Sequence, residues 1–176
     1  MQKQRSLFAT WAFILVLGFV SASDANASWW RGWADPVGTW NITVSFPAVP
    51  GAPPPFKELI AFHRGGTVSE TNSSLHANSA NPAVPQFNFT GSDGYGTWSR
   101  INRNTFYFSF VKIVFDGTTN QQAGYLRVSS RFRIENGKFI QDAADSLTEL
   151  LIGPDLDAPL QVVPFGGADA EGTRIN

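Results

Sequence analysis

The stretch TFYFSFVKIVFDGTTNQQAGYLRVSSRFRIENGKFIQ, residues 105–141, decides the fold class. Its two long runs, Thr105–Phe115 and Ala123–Ile134, are aromatic and β-branched and are separated by the turn-forming segment Asp116–Gln122, so both read as strands. Glu135-Asn136-Gly137-Lys138 closes the second run. Asn-Gly suits both positive-φ positions of a type I′ turn, and a tight hairpin follows. With Glu135 opposite Lys138, the register sets Phe132 against Gln141, Arg131 against Asp142 and Val128 against Asp145.

Working upstream, Gly94–Arg100 is a further strand, joined through Asn102-Arg103-Asn104. Between Val37 and Phe46 the alternation is clean: Trp40, Ile42, Val44 and Phe46 fall on one face, and Thr39, Asn41, Thr43 and Ser45 on the other. Pro47–Pro55 holds five prolines, which supply no ladder donors, and reads as a loop. Phe56–His63 and Thr67–Thr71 form a hairpin across Arg64-Gly65-Gly66, with Gly66 in the left-handed position and Ile60 facing Glu70. Asn72–Phe87, rich in Asn, Ser, Ala and Pro, is a long excursion of the kind that flanks a site. Downstream, Ser146-Leu147-Thr148-Glu149 fits a capping box, but Thr148–Ile152 is preferred as a strand, and Leu160–Val163 and Gly172–Ile175 close the pattern.

Eight or nine short strands joined mostly by hairpins describe an all-β antiparallel meander. An open meander leaves two unpaired edges, so closure as a small barrel is the expected architecture, with a β-sandwich as the alternative.

Composition sets the surroundings. The chain of 176 residues is 43% hydrophobic and 15% charged, which excludes a disordered tail or a charge-laced coiled coil. With 13 Lys+Arg against 14 Asp+Glu there is no electrostatic drive toward nucleic acid. The absence of Cys removes disulfides, thiolate metal sites and Cys nucleophiles. Lys3 and Arg5, the apolar run Leu7–Val20 and the small-x-small Ala25-Asn26-Ala27 together read as a cleaved secretory signal over residues 1–27, the run being too short to span a bilayer. The expected mature domain is therefore 28–176, secreted or periplasmic and not membrane-embedded, starting near Ser28. The sequons at Asn41, Asn72 and Asn88 have meaning only in a glycosylating host.

Gly38-Thr39-Trp40 at the start of the first strand resembles the Gly-x-Trp triplet of the lipocalins in the calycin superfamily. The resemblance implies an eight-stranded barrel over Val37–Ile175 with a basic residue near its end packed over the tryptophan; Arg174 stands at that place. A guanidinium over an indole face gains about 0.5–2 kcal/mol. The Thr-Asp-Tyr triplet of lipocalins is missing and their usual disulfide has no Cys to form it. Secreted barrels similar to allene oxide cyclase are cofactor-free enzymes, so the resemblance is compatible with a binder or an enzyme.

Among candidate functional residues, Glu58 shares a face with Phe56, Ile60 and Phe62, and Glu70 sits one diagonal step away. If that face lines the barrel, burial and like charge raise one carboxyl's pKa toward general-acid or ligand-anchoring use. Phe62, Trp98, Phe108, Phe110 and Phe132 supply an apolar lining, with Gln141 and Asp145 as polar hooks. Arg127, Arg131 and Arg133 read as a solvated outer face. His63 and His76 lack metal-ligand spacing, and neither a metal nor a cofactor is expected. The sequence thus points to a barrel binding one small, mostly apolar molecule with a polar handle. The alternatives are a cofactor-free isomerase or cyclase using Glu58 and Glu70, and an envelope or protein-interaction module, which an apolar outer face of Val111, Ile113 and Tyr107 would favour.

Overall fold

A computed structural model describes residues 33–47, 54–73 and 89–175. The expected leader over residues 1–27, the middle of the proline-rich loop, and most of the Asn72–Phe87 excursion with His76 lie outside the described residues. The architecture that follows belongs to the unit Ala34–Asn176.

Eleven strands occur among the described residues: β1 (Gly38–Ser45), β2 (Phe56–Phe62), β3 (Thr67–Asn72), β4 (Phe89–Gly91), β5 (Gly94–Arg100), β6 (Thr105–Asp116), β7 (Gln122–Glu135), β8 (Lys138–Gln141), β9 (Ser146–Ile152), β10 (Gln161–Gly166) and β11 (Asp169–Arg174). Every pairing is antiparallel. Eight of the strands close a ring in the order β1, β2, β3, β5, β6, β7, β8, β11, so the all-β barrel expected from the meander is the fold. Turn chemistry fixes its registers. Asn136 and Gly137 adopt φ of 51° and 76° between β7 and β8, and Gly66 adopts 81° between β2 and β3. In that second hairpin Phe62 pairs with Val68, Ile60 with Glu70 and Glu58 with Asn72.

β4 is a strand that the sequence reading placed in no element. It and β5 run end to end along the same edge of β6, offset by one residue at Ser92-Asp93. Ser92 bridges the offset, donating its N–H to the Ile113 carbonyl (2.9 Å) and accepting the Ile113 N–H on its hydroxyl (3.0 Å). This is the geometry of a bulge, which bends a strand without ending its pairing.

The edge of β7 forks. Arg133–Glu135 pair with β8, whereas Gly124–Ser130 pair with β9, which carries β10 outward. A 3₁₀ turn over Ala143–Asp145 separates the two ladders and overturns one expected register: Val128 pairs with Thr148, not Asp145. The turn consumes residues without pairing them, so every position beyond Gln141 slips by three. The expected pairing of Arg131 with Asp142 gives way too. Asp142 bonds Arg133, which also holds Glu135 at 2.9 Å.

Inward-facing positions build the core. Trp40, Phe62, Phe106, Phe108, Phe132 and Phe139 are all but inaccessible to solvent. Phe132 lies at their centre, stacked on Phe139, Phe62 and Phe106 at centroid distances of 4.6, 4.8 and 5.1 Å. Each such pair adds about 0.5–1.5 kcal/mol beyond the area that it buries.

Candidate functional site

The two ends of the barrel are built differently. At the end where β1 begins, the segment Ala34–Val37 crosses the opening. The Arg174 guanidinium lies 4.9 Å from the Trp40 ring centroid and donates to the Asp35 carbonyl, and Trp40 donates its indole N–H to Pro36 O at 2.8 Å. Arg100, over Phe106 at 4.6 Å, donates to Ala34 O at 2.7 Å. The pairing of the first strand's tryptophan with an arginine of the last is the contact that the calycin resemblance implied, and with the backbone bond Ile175 N–H to Thr39 O (2.8 Å) it ties β11 to β1.

Toward the other end the inner face turns polar. Glu58, Glu70, Asn72 and Lys112 are all buried. Lys112 reaches this place by strand parity, since it continues the inward series Phe106, Phe108, Phe110 on β6 and precedes Val114. The β3, β5 and β6 registers bring Glu70 opposite Gly94, whose next neighbour across β5 is Lys112. Gly94 has no side chain to stand between them. A Cβ there would lie 2.7 Å from Phe110 Cδ2 and 2.8 Å from Glu70 Oε2. The acid and the lysine therefore meet over the glycine, with Lys112 Nζ 2.7 Å from Glu70 Oε2 and both side chains sealed from solvent. Asn72 donates its amide N–H to Glu70 Oε1 at 2.8 Å.

Glu58 stands diagonally from Glu70 and opposite Asn72 on β3. Glu58 and Asn72 each keep 8% of their surface exposed, against 2% for Glu70 and 1% for Lys112, so all four are buried together. Burial, reinforced by the negative charge on Glu70 and only partly offset by Lys112, holds the Glu58 carboxyl pKa well above the usual carboxylate range. Burial also raises Glu70, but there Lys112 and the Asn72 amide oppose the rise directly. Of the two carboxyls, Glu58 thus holds a proton the more readily, and Glu70 is the one that faces the Lys112 cation. Within this ion pair Lys112 donates to Glu70, and among the described residues Nζ has no second acceptor.

The other residues singled out from sequence fall elsewhere. Phe62, Phe108, Phe110 and Phe132 pack on one another and on their neighbours as core, beneath the cluster. Trp98 is half-buried and donates its indole N–H to His63 O at 2.9 Å, near the β2–β3 turn. Gln141 is buried and donates to Ala168 O at 2.9 Å, a bond that anchors the β8–β11 pair. Asp145 is exposed in the 3₁₀ turn, outside the barrel and away from Phe132. Arg127 is exposed and bonds Glu149 at 2.8 Å. On the outer face of β5 and β6, Tyr95, Tyr107 and Ile113 are exposed.

Among the described residues no group of three His, Asp or Glu side chains is placed to hold a metal ion, and no helix is long and apolar enough to cross a membrane. No family model matches the chain, and no curated protein or solved structure was found to be similar to it.

Proposed function

We propose that this chain is an exported, calycin-like β-barrel that binds one small, mostly apolar molecule, gripping its polar group at Glu58, Lys112 and Glu70. The observation that carries this reading is a charged pair sealed inside a barrel, in which the Lys112 ammonium keeps donors beyond the one it gives Glu70 and has no further acceptor among the described residues. Buried polar groups are nearly always satisfied, and a cluster that the fold leaves short of partners is suited to a partner from outside. The Trp40–Arg174 contact supports the calycin likeness, and the leader over residues 1–27 supports export. The apolar part of the ligand lies toward Val44, Phe56 and Val114, on inward positions beyond the cluster.

The test is to purify the chain from the exported fraction, extract it with organic solvent and identify the extract by mass spectrometry, then measure return binding against pH. Glu58 donates only while protonated, so wild-type affinity falls as pH rises through its raised pKa, and Glu58→Gln, a donor at every pH, flattens the profile. Folding stability moves the same way. The folded chain holds the Glu58 proton more tightly than the unfolded chain, so stability drops as pH climbs from the ordinary carboxylate pKa through the raised one, and the drop is smaller in Glu58→Gln, where only the rise of Glu70 remains. An extracted molecule returned chemically changed, with turnover lost in Glu58→Gln, identifies the cofactor-free isomerase instead. No saturable binding at any pH leaves the interaction module, which the exposed Tyr95, Tyr107 and Ile113 favour.

A further inference from the structure

We propose that the polar group bound by the cluster is an uncharged carbonyl oxygen, of a ketone, aldehyde or ester, and not a carboxylate or an amine. The inference rests on the binding reading above and concerns what that site selects.

It follows from the donors and charges that the fold has already committed. The Lys112 ammonium has three N–H donors; one serves Glu70 Oε2 at 2.7 Å, and among the described residues the others have no acceptor. An acceptor oxygen is the partner that this end of the site lacks. The charges, however, are already balanced, one ammonium against one carboxylate, with both side chains fully out of water. An entering carboxylate would be attracted by Lys112 but would face Glu70 across the same gap, with the exposed Asp93 adding to the negative side. An entering ammonium would meet Lys112. Either would bring a third charge into a low-dielectric interior, where an unpaired charge is most costly. A neutral carbonyl adds none. It accepts from Nζ, and Glu58, one diagonal step along β2, is the second group within the cluster suited to donate to it. The Asn72 amide, which would otherwise compete as a donor, already serves Glu70 Oε1. Discrimination of this kind is strong because buried donors left without an acceptor penalise the wrong ligand.

The experiment uses the full folded chain and three probes of equal length, 2-decanone, decanoate and decylamine, followed by tryptophan fluorescence at pH 7. The ketone is expected to bind at least about tenfold more tightly than either charged probe, equivalent to about 1.4 kcal/mol. Its bound C=O stretch is expected at lower frequency than in alkane, as for a hydrogen-bonded carbonyl. Because Lys112→Met alone would strand Glu70, the variant used is Lys112→Met with Glu70→Leu, checked for native near-UV circular dichroism. In it ketone affinity falls about tenfold and the stretch returns to its alkane position. Equal or tighter binding of decanoate or decylamine overturns the inference and leaves the binding reading intact, as does a wild-type stretch at the alkane position or a shifted stretch that survives in the double variant. Should none of the three probes bind, the binding reading fails, and this inference with it.

Discussion

The aromatic half of the barrel and its acid–lysine half are buried to the same degree and are held by opposite logic. Phe106 and Phe139 on one side and Glu70 and Lys112 on the other are all within 2% of full burial. Around Phe132 each contact is attractive without needing a partner charge, so each ring contributes on its own account. Around Glu70 nothing is attractive alone. Each charge is costly without the other, and the pair is a net expense that the aromatic half must carry. One region stabilises the fold, and the other is maintained at the fold's expense, the pattern expected where a structure keeps a feature for use.

Three perturbations sharpen or break that contrast. The largest effects come from single deletions on either side, which differ in whether they can be undone. Phe132→Ala should cost about 3–5 kcal/mol in urea or guanidinium unfolding, with no second deletion restoring it. Lys112→Met should cost a comparable amount, about 3–5 kcal/mol, by leaving Glu70 charged and alone, but adding Glu70→Leu should recover most of the loss. If the double variant is no more stable than Lys112→Met, the acid and the lysine are not the mutually dependent pair described. The smallest effect belongs to the closed end. Arg174→Met keeps the aliphatic stem over Trp40 and removes the cation, and should lower stability by about 0.5–2 kcal/mol, accompanied by a change in tryptophan emission. An unchanged spectrum and stability would detach Arg174 from the role of tying β11 to β1.

How far these two regions were legible in the sequence follows from what each depends on. The hairpins were readable because Asn136-Gly137 and Arg64-Gly65-Gly66 carry their φ requirements in residue identity, and from the second of these the Ile60–Glu70 register followed without tertiary information. The pairing of Trp40 with Arg174 was visible only through a resemblance, since nothing local joins residues 139 positions from Asp35 to the start of β1. Lys112 is hard to recognise in the sequence although its parity with Phe106, Phe108 and Phe110 places it inside; a strand lysine is usually exposed, and the only local sign against that is the apolar series it interrupts. Gly94, the position that lets Lys112 and Glu70 meet, announces itself by having no side chain, which a search for chemical groups does not register. Asp145 departs from its expected place for a different reason. A three-residue turn inside a continuous polar stretch shifts every later register, and Asp142-Ala143-Ala144-Asp145 contains neither glycine nor proline to mark it.

The ring also has a consequence in time. β1 is the first strand of the barrel along the chain, and one of its two edges pairs only with β11, the last. Until nearly the whole chain is available, that edge has no native partner, and the barrel exists only as a curling ribbon with a row of open hydrogen-bonding groups. Pairing between chain positions so far apart is slow because the loop must close before any contact rewards it. Until that pairing is made, the β1 edge is open to strand addition by a neighbour. The arginine seated on Trp40 lies at that same seam, so the contact forms only when the ring has closed.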